Sequence, residues 1–216
     1  MQIIDLSHYL EPGMSLFPGD APPLLQETGD HEYRKTQLTL GNHLGTHVDA
    51  PSHLIRDGAS LDQLDISRFF GLSLLVDVGA YAGGRIPEQV FRPHEEILSH
   101  CQFVTLKTGW ARRWGSPGYL TGYPLLCPEA ARFLTRFPLS GVAMDCLSLD
   151  PVEGEQEIHR ILLGAGFLSV ENLTWLDKIL GEVFLLSALP LKWRDSNGSP
   201  VRAMAFEAPA GIYYPG

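Results

Sequence analysis

Three histidines and a carboxylate fall within eleven positions of this chain, in the stretch Asn42-His43-Leu44-Gly45-Thr46-His47-Val48-Asp49-Ala50-Pro51-Ser52-His53. The whole sequence has eight histidines, so this local density asks for a cause. Imidazole nitrogens and carboxylate oxygens are the ligands that suit Zn²⁺, Mn²⁺ and related ions. Any one histidine is more often a surface residue or a satisfied core residue than a ligand. Several brought together repel one another when protonated and leave hydrogen bonds unmade when buried. A divalent cation relieves both penalties.

The spacing constrains the backbone. His47 and Asp49 are two residues apart, so an extended segment points both side chains to one face and Val48 to the other. Gly45, the β-branched Thr46 and Val48, and Pro51 argue against a continuous helix. His43 and His47 are therefore expected to flank a turn, with His43 reaching the same ion from a strand that enters it.

The elements that must hold this segment are read from apolar patterning. Residues 72–78, 103–107, 142–145, 183–189 and 201–206 look like strands, several of them apolar nearly throughout, as strands covered on both faces must be. Helices are expected over 93–100, over 128–137 with Pro128 in its first turn, over 155–163 stopped by Gly164, and over 173–180 stopped by Gly181. Pro and Gly gather around 11–23, 82–93, 115–124 and 195–199, which reads as loops within one domain spanning 1–216 rather than as a linker. The class is mixed α/β.

Composition narrows the function. At 216 residues, 44% hydrophobic and 19% charged, the chain can bury about 70% of its unfolded surface and needs no staple. A formal charge of −9, with no basic cluster beyond pairs such as Arg112-Arg113, argues against nucleic acid. There is no apolar run of membrane length and no signal-peptide start, so no membrane partner and a cytoplasmic address are expected. Cys101, Cys127 and Cys146 are far apart and odd in number, and read as reduced, mostly buried small apolar residues.

Two further segments carry ligand-type residues, His159 in Glu157-Ile158-His159-Arg160 and Glu171 in Ser169-Val170-Glu171-Asn172. Spacing alone selects neither. Taken singly, His159 reads as a helix-surface residue and Glu171 as an acid beside the start of the helix expected over 173–180.

The string HLGTHVDAPSH resembles the HxGTHxDxPxH signature of the bacterial kynurenine formamidase and cyclase family of metal-dependent hydrolases. The likeness extends through Asp5-Leu6-Ser7-His8, Phe17-Pro18-Gly19-Asp20, Lys107-Thr108-Gly109-Trp110, His159-Arg160-Ile161-Leu162-Leu163, Val170-Glu171-Asn172-Leu173, Leu189-Pro190-Leu191 and Gly198-Ser199-Pro200-Val201-Arg202-Ala203, in family order. The signature is specific because it fixes ligands, turn glycine and proline together.

The resemblance implies a swivelling β/β/α fold with a mixed sheet, a homodimer, and two divalent ions per chain, zinc or alternatively manganese. It places His43, His47 and Asp49 on one ion. Asp49 bridges to a second ion held also by His159 and Glu171, and His53 takes the acid/base role. The implied activity is amide hydrolysis, with N-formylkynurenine cleaved to kynurenine and formate. Alternatives are opening of a cyclic amide, as in isatin hydrolases, a binding protein that has kept the fold without catalysis, and a metal that only staples the fold.

The partner in either hydrolysis is a small aromatic amide. The family's formamidases carry Trp where this chain has Phe17, which keeps an aromatic face for a substrate ring but removes the indole N–H. Trp110 and Tyr119 are further candidate walls of that pocket. Ser7, His8 and Asp20 are candidates for supporting the ligands from behind.

Overall fold

The runs that are apolar nearly throughout become the middle of one sheet. The structure, a computed structural model, describes residues 1–30 and 32–207. Its strands are β1 (Gln2–Asp5), β2 (Leu24–Glu27), β3 (Thr36–Thr39), β4 (His47–Asp49), β5 (Phe70–Asp77), β6 (Arg85–Ile86), β7 (Phe103–Lys107), β8 (Leu125–Leu126), β9 (Gly141–Met144), β10 (Leu168–Glu171), β11 (Val183–Ser187), β12 (Gly198–Pro200) and β13 (Met204–Glu207). The α-helices are α1 (Glu95–Leu98), α2 (Pro128–Leu134) and α3 (Glu157–Gly164).

Nine strands form one mixed sheet in the order β1-β13-β11-β5-β7-β9-β10-β4-β12. The four central strands β5, β7, β9 and β10 run parallel, and every other pairing within this sheet is antiparallel. Strands β2 and β3 pair only with each other, as do β6 and β8.

Alternation along the central strands feeds two cores. Val104, Leu106, Val142 and Met144 face a layer that includes Ala130, Phe133 and Leu134 of α2 with Ile158 and Leu162 of α3. Phe103, Ala143, Leu168 and Val170 face the other way, against Ile4, Val48, Phe184, Leu186 and Ala205 of the outer strands. Burial on both faces is what their unbroken apolar sequence requires. On the second face, where side chains are polar they pair, as Ser73 Oγ does with Thr105 Oγ1 at 2.7 Å.

The sheet curls so that its flanks meet. Leu6 N donates to Ala203 O at 2.9 Å, Thr174 N to Leu6 O at 2.9 Å, and Val201 N to Thr46 O at 2.9 Å. These bonds stitch the chain after β1 to the chain after β10, and the approach to β4 to the chain after β12.

Several expectations hold with shifted ends, and one does not. Strand β7 spans the expected residues, while β5, β9 and β11 match within two or so at either end. The run over 201–206 is strand only in its second half, as β13. Helix α3 continues through Gly164 and turns at Gly166, whose φ of +82° is the left-handed conformation that closes a helix. The helix expected over 93–100 is a 3₁₀ turn, Arg92–His94, followed by the single turn α1.

No helix spans 173–180. Asn172 and Trp175 are left-handed, at φ +57° and +56°. Leu173 N is taken by Met144 O, and only Leu176–Lys178 coils, as a 3₁₀ turn. Glu171 accordingly lies in a strand, not at a helix start. Patterning also gave no sign of β1, β2, β3, β6, β8, β10 or β12, all of them strands of two to four residues.

Gly141 begins β9 between β7 and β10, and a Cβ there would stand 2.9 Å from the Leu168 Cβ and against the Leu168 backbone. Gly141→Ala is expected to cost about 1–3 kcal/mol of stability through overpacking, read as an earlier denaturant midpoint. A midpoint unchanged or raised would contradict this packing.

Candidate metal centre

Pairing between β4 and β10 assembles the site. Glu171 lies opposite His47, Val170 opposite Val48, and Ser169 opposite Asp49. With a period of two, His47, Asp49 and Glu171 share one face and the two valines enter the core on the other. His159 comes from the first turn of α3, which packs beside β10. It is 4% exposed, not the surface residue its helical setting suggested.

The four buried groups approach at ligand spacings. His47 Nε2 is 3.4 Å from Asp49 Oδ1 and 3.7 Å from Glu171 Oε2. His159 Nε2 is 3.0 Å from Glu171 Oε1 and 3.8 Å from Asp49 Oδ2. Ligand atoms about 2.0–2.2 Å from one tetrahedral ion lie roughly 3.3–3.6 Å from each other. Several of these separations are too long for hydrogen bonds and suit donors arranged round a cation.

His43 sits in the turn before β4, not in a strand, with Nδ1 2.5 Å from Asp49 Oδ1. Its Nε2 is buried and has no hydrogen-bond partner among the described residues. His53 ends the 3₁₀ turn Pro51–His53 that follows β4, half-buried, its ring centroid 4.1 Å from that of His43 and 6.4 Å from that of His159. Two sets of ligand atoms each fall within 4.8 Å of one another, His47-Asp49-Glu171 and His43-Asp49-His53. Asp49 belongs to both. The structure thus brings all six expected residues together and leaves His53 within reach of ligation as well as of proton transfer.

Two carboxylates, two buried imidazoles and an imidazole nitrogen without a partner among the described residues make a donor set that a divalent cation would satisfy. The chain around it aims the donors. His47 Nδ1 donates to Gly45 O at 2.9 Å and His159 Nδ1 to Asp150 Oδ2 at 2.8 Å, so both Nε2 atoms face inward. Gly45, at φ +64°, makes the turn that a side chain would resist, and a Cβ there would lie 2.7 Å from Leu10 Cδ2. Gly198 of β12 is the floor under His43, since a Cβ there would stand 2.7 Å from both ring nitrogens.

Asn172 ties these parts together. Its Nδ2 donates to Gly45 O, its Oδ1 accepts from Tyr119 Oη at 2.6 Å, and its backbone O accepts from Thr46 Oγ1 at 2.6 Å. Asp150, Asn172 and Gly198 were not singled out by sequence; only partner geometry distinguishes them from ordinary core and loop residues.

Tyr119 and Trp110 are not open pocket walls. Both are buried in the core, with Trp110 Nε1 donating to Tyr119 O at 2.9 Å. Phe17 is half-buried and packs on the helix-side core, and Asp20 is exposed. Ser7 Oγ accepts from Ala203 N at 2.8 Å, a bond that holds the curled sheet rather than a ligand. His8 stacks on Trp114, centroids 3.9 Å apart and planes 6° apart, and burial pulls its pKa down to about 4. Both rings border a cavity of about 810 Å³ that also includes Thr108, Lys107, Arg112 and Trp175 but none of the six clustered residues.

The cysteines are free; Cys101 and Cys146 are buried, and burial pushes both thiols up, Cys101 to about 11. That suits the inert reading.

A family profile described as "Putative cyclase" matches residues 4–151. The chain belongs to this cyclase family. Among curated relatives, a kynurenine formamidase of Salinibacter ruber is 30% identical, covering 97% of this chain and 99% of its own. One of Bacillus mycoides is 31% identical, covering 94% and 96%. Among solved structures, isatin hydrolase A from Labrenzia aggregata, bound to benzyl benzoate, superposes with a TM-score of 0.84 at 28% identity, covering 94% of this chain and 93% of that one. These cyclase relatives share the mixed α/β fold with its curled sheet.

Electrostatics give the cluster a proton signature. Burial alone would lower the His47 pKa, but Asp49 and Glu171 beside it push it up to about 9. For Asp49, burial acts to raise the pKa, yet His47, His159 and His43 hold it well below the usual carboxylate range. At pH 7, below that raised value, metal-free His47 carries a proton that a cation must expel. Zinc binding at pH 7 is expected to release at least one proton, so that calorimetric heats change with the ionisation enthalpy of the buffer. Heats independent of buffer would contradict this protonation.

Proposed function

We propose that this chain is a metal-dependent amide hydrolase, with a small aryl formamide such as N-formylkynurenine as its substrate. The observation that carries it is the convergence of His47, Asp49, His159 and Glu171 in a buried cluster flanked by the imidazoles of His43 and His53. The kynurenine formamidases that match it nearly end to end support the substrate class.

In this reading His43, His47, Asp49, His159 and Glu171 would hold two divalent ions. Such ions polarise a carbonyl oxygen and make water a better nucleophile at neutral pH. The reaction adds water across the C–N bond: the carbonyl carbon gains hydroxyl and the departing nitrogen gains a proton. Expulsion of nitrogen as a free anilide is costly, so a positioned acid is needed.

His53 supplies it. Burial pulls its pKa below the ordinary histidine value, with Asp49 and Glu171 opposing the shift and His43 and His159 adding to it. At neutral pH its ring is therefore a free base, able to take the proton of the attacking water and pass it to the leaving nitrogen. Phe17 is assigned the substrate's aromatic ring on the strength of the resemblance. Zinc or manganese as the ion, the homodimer, the cytoplasmic address and a single domain over 1–216 belong to the same proposal.

A second reading, hydrolysis of a cyclic amide, is supported by the likeness to isatin hydrolase A. Among the described residues no helix is long and apolar enough to cross a membrane.

Purified protein assayed on N-formylkynurenine and isatin, with metal counted by elemental analysis, tests both readings. His53→Ala is expected to lower kcat by about 10²–10⁴-fold while keeping its metal, and His47→Ala to lose metal and activity together. A His53→Ala protein that loses metal as fully as His47→Ala would make His53 a ligand. Tight binding of both amides by the metal-loaded protein without turnover would make it a binding protein.

A further inference from the structure

Asp150 is 3% exposed, and each of its carboxylate oxygens is engaged. Oδ1 accepts from Ile158 N at 2.9 Å, while Oδ2 accepts from His159 N at 2.9 Å and from His159 Nδ1 at 2.8 Å. Its own backbone is pinned, because Tyr123 Oη donates to Asp150 O at 2.7 Å. A carboxylate only accepts, so the proton of the His159 ring is fixed on Nδ1. Nε2 is thereby the nitrogen aimed at the space bounded by Glu171 Oε1, 3.0 Å away, and Asp49 Oδ2, 3.8 Å away, where it would meet a bound cation.

The two buried imidazoles of the cluster are backed differently. His47 Nδ1 donates to a neutral carbonyl, Gly45 O, and His159 Nδ1 to a carboxylate. A carboxylate behind an imidazole raises its basicity as a ligand and fixes its orientation more firmly. Asp150 has a second task, since helix α3 starts after the left-handed Gln156 without a side-chain cap of its own and Asp150 takes two of its first N–H groups.

We propose that Asp150 is a positioning residue for His159, fixing its tautomer and aim, and that it thereby sets the affinity of the His159–Glu171 half of the centre for a divalent cation. This rests on the metal-centre reading above. The role is separable from helix capping, because capping acts on the stability of α3 and positioning acts on the donor strength of one nitrogen.

Four metal-stripped proteins decide it: wild type, Asp150→Asn, Asp150→Ala and Ile158→Ala. The last removes buried volume from the same first turn of α3 without touching His159 Nδ1. Zinc affinity is measured by chelator competition at a temperature where circular dichroism shows each protein folded, and cobalt loading is followed by visible absorption.

The amide of Asp150→Asn can still accept the Nδ1 proton but carries no charge, and about tenfold weaker zinc binding is expected. About 100-fold is expected for Asp150→Ala. Both should alter the cobalt spectrum. Ile158→Ala should lower the melting temperature yet bind zinc within about twofold of wild type.

Zinc affinity in Asp150→Asn and Asp150→Ala within twofold of wild type would overturn the proposal, as would equal weakening by Ile158→Ala. A wild-type protein that takes up no zinc would overturn the metal-centre reading itself, and this proposal with it.

Discussion

Asp49 and Glu171 are buried acidic side chains with ligand atoms within 4.8 Å of each other, and both neighbour the imidazoles of His47 and His159. Burying ionised groups is expensive unless opposite charge and hydrogen bonds compensate, and breaking such an arrangement from one side leaves an uncompensated charge. The shape of the surrounding chain follows from that constraint. Carbonyl and carboxylate acceptors behind His47 and His159 and the Asn172 hub leave the imidazole Nε2 atoms pointing at the carboxylates rather than satisfied elsewhere, while the hydroxyl of Ser169, 3.0 Å from Glu171 Oε1, holds that carboxylate in place. Protons on the imidazoles can meet the constraint, and so can a divalent cation.

The fold meets a positional demand that no single element could. Residues 122 positions or more apart must share a face within a few ångströms, and antiparallel pairing of β4 with β10 does this because register fixes which side chains lie opposite. A slip by one residue would send His47 and Asp49 into the core and Val48 into the site. Valines 48 and 170, both fully buried, hold the register. The site therefore borrows its precision from the core beneath it.

Much of this was legible in sequence. The extended conformation of His47-Val48-Asp49 follows from Gly45, Thr46, Val48 and Pro51, and the turn at His43 to His47 from the same residues. The central strands announce themselves by apolar runs. What pattern could not reach is long-range. His159 looks like any polar residue of an amphipathic helix, and only resemblance selected it. The helix expected over 173–180 failed because Asn172 and Trp175 take left-handed conformations imposed by tertiary bonds, Leu173 N to Met144 O and Thr174 N to Leu6 O. Asp150 and Gly198 act through what they touch, a ring nitrogen and a ring face, and neither contact leaves a periodic trace. Trp110 and Tyr119 lie in the core, the place aromatic residues take more often than a pocket wall.

Diffraction from crystals soaked to saturation in zinc, collected across the zinc absorption edge, tests the central claim most directly. Anomalous peaks should appear about 2.0–2.2 Å from the Nε2 atoms of His47 and His159 and from oxygens of Asp49 and Glu171. Saturated crystals whose only peaks lie elsewhere, with these side chains hydrogen-bonded to each other, would show a protonated polar cluster in place of a metal centre.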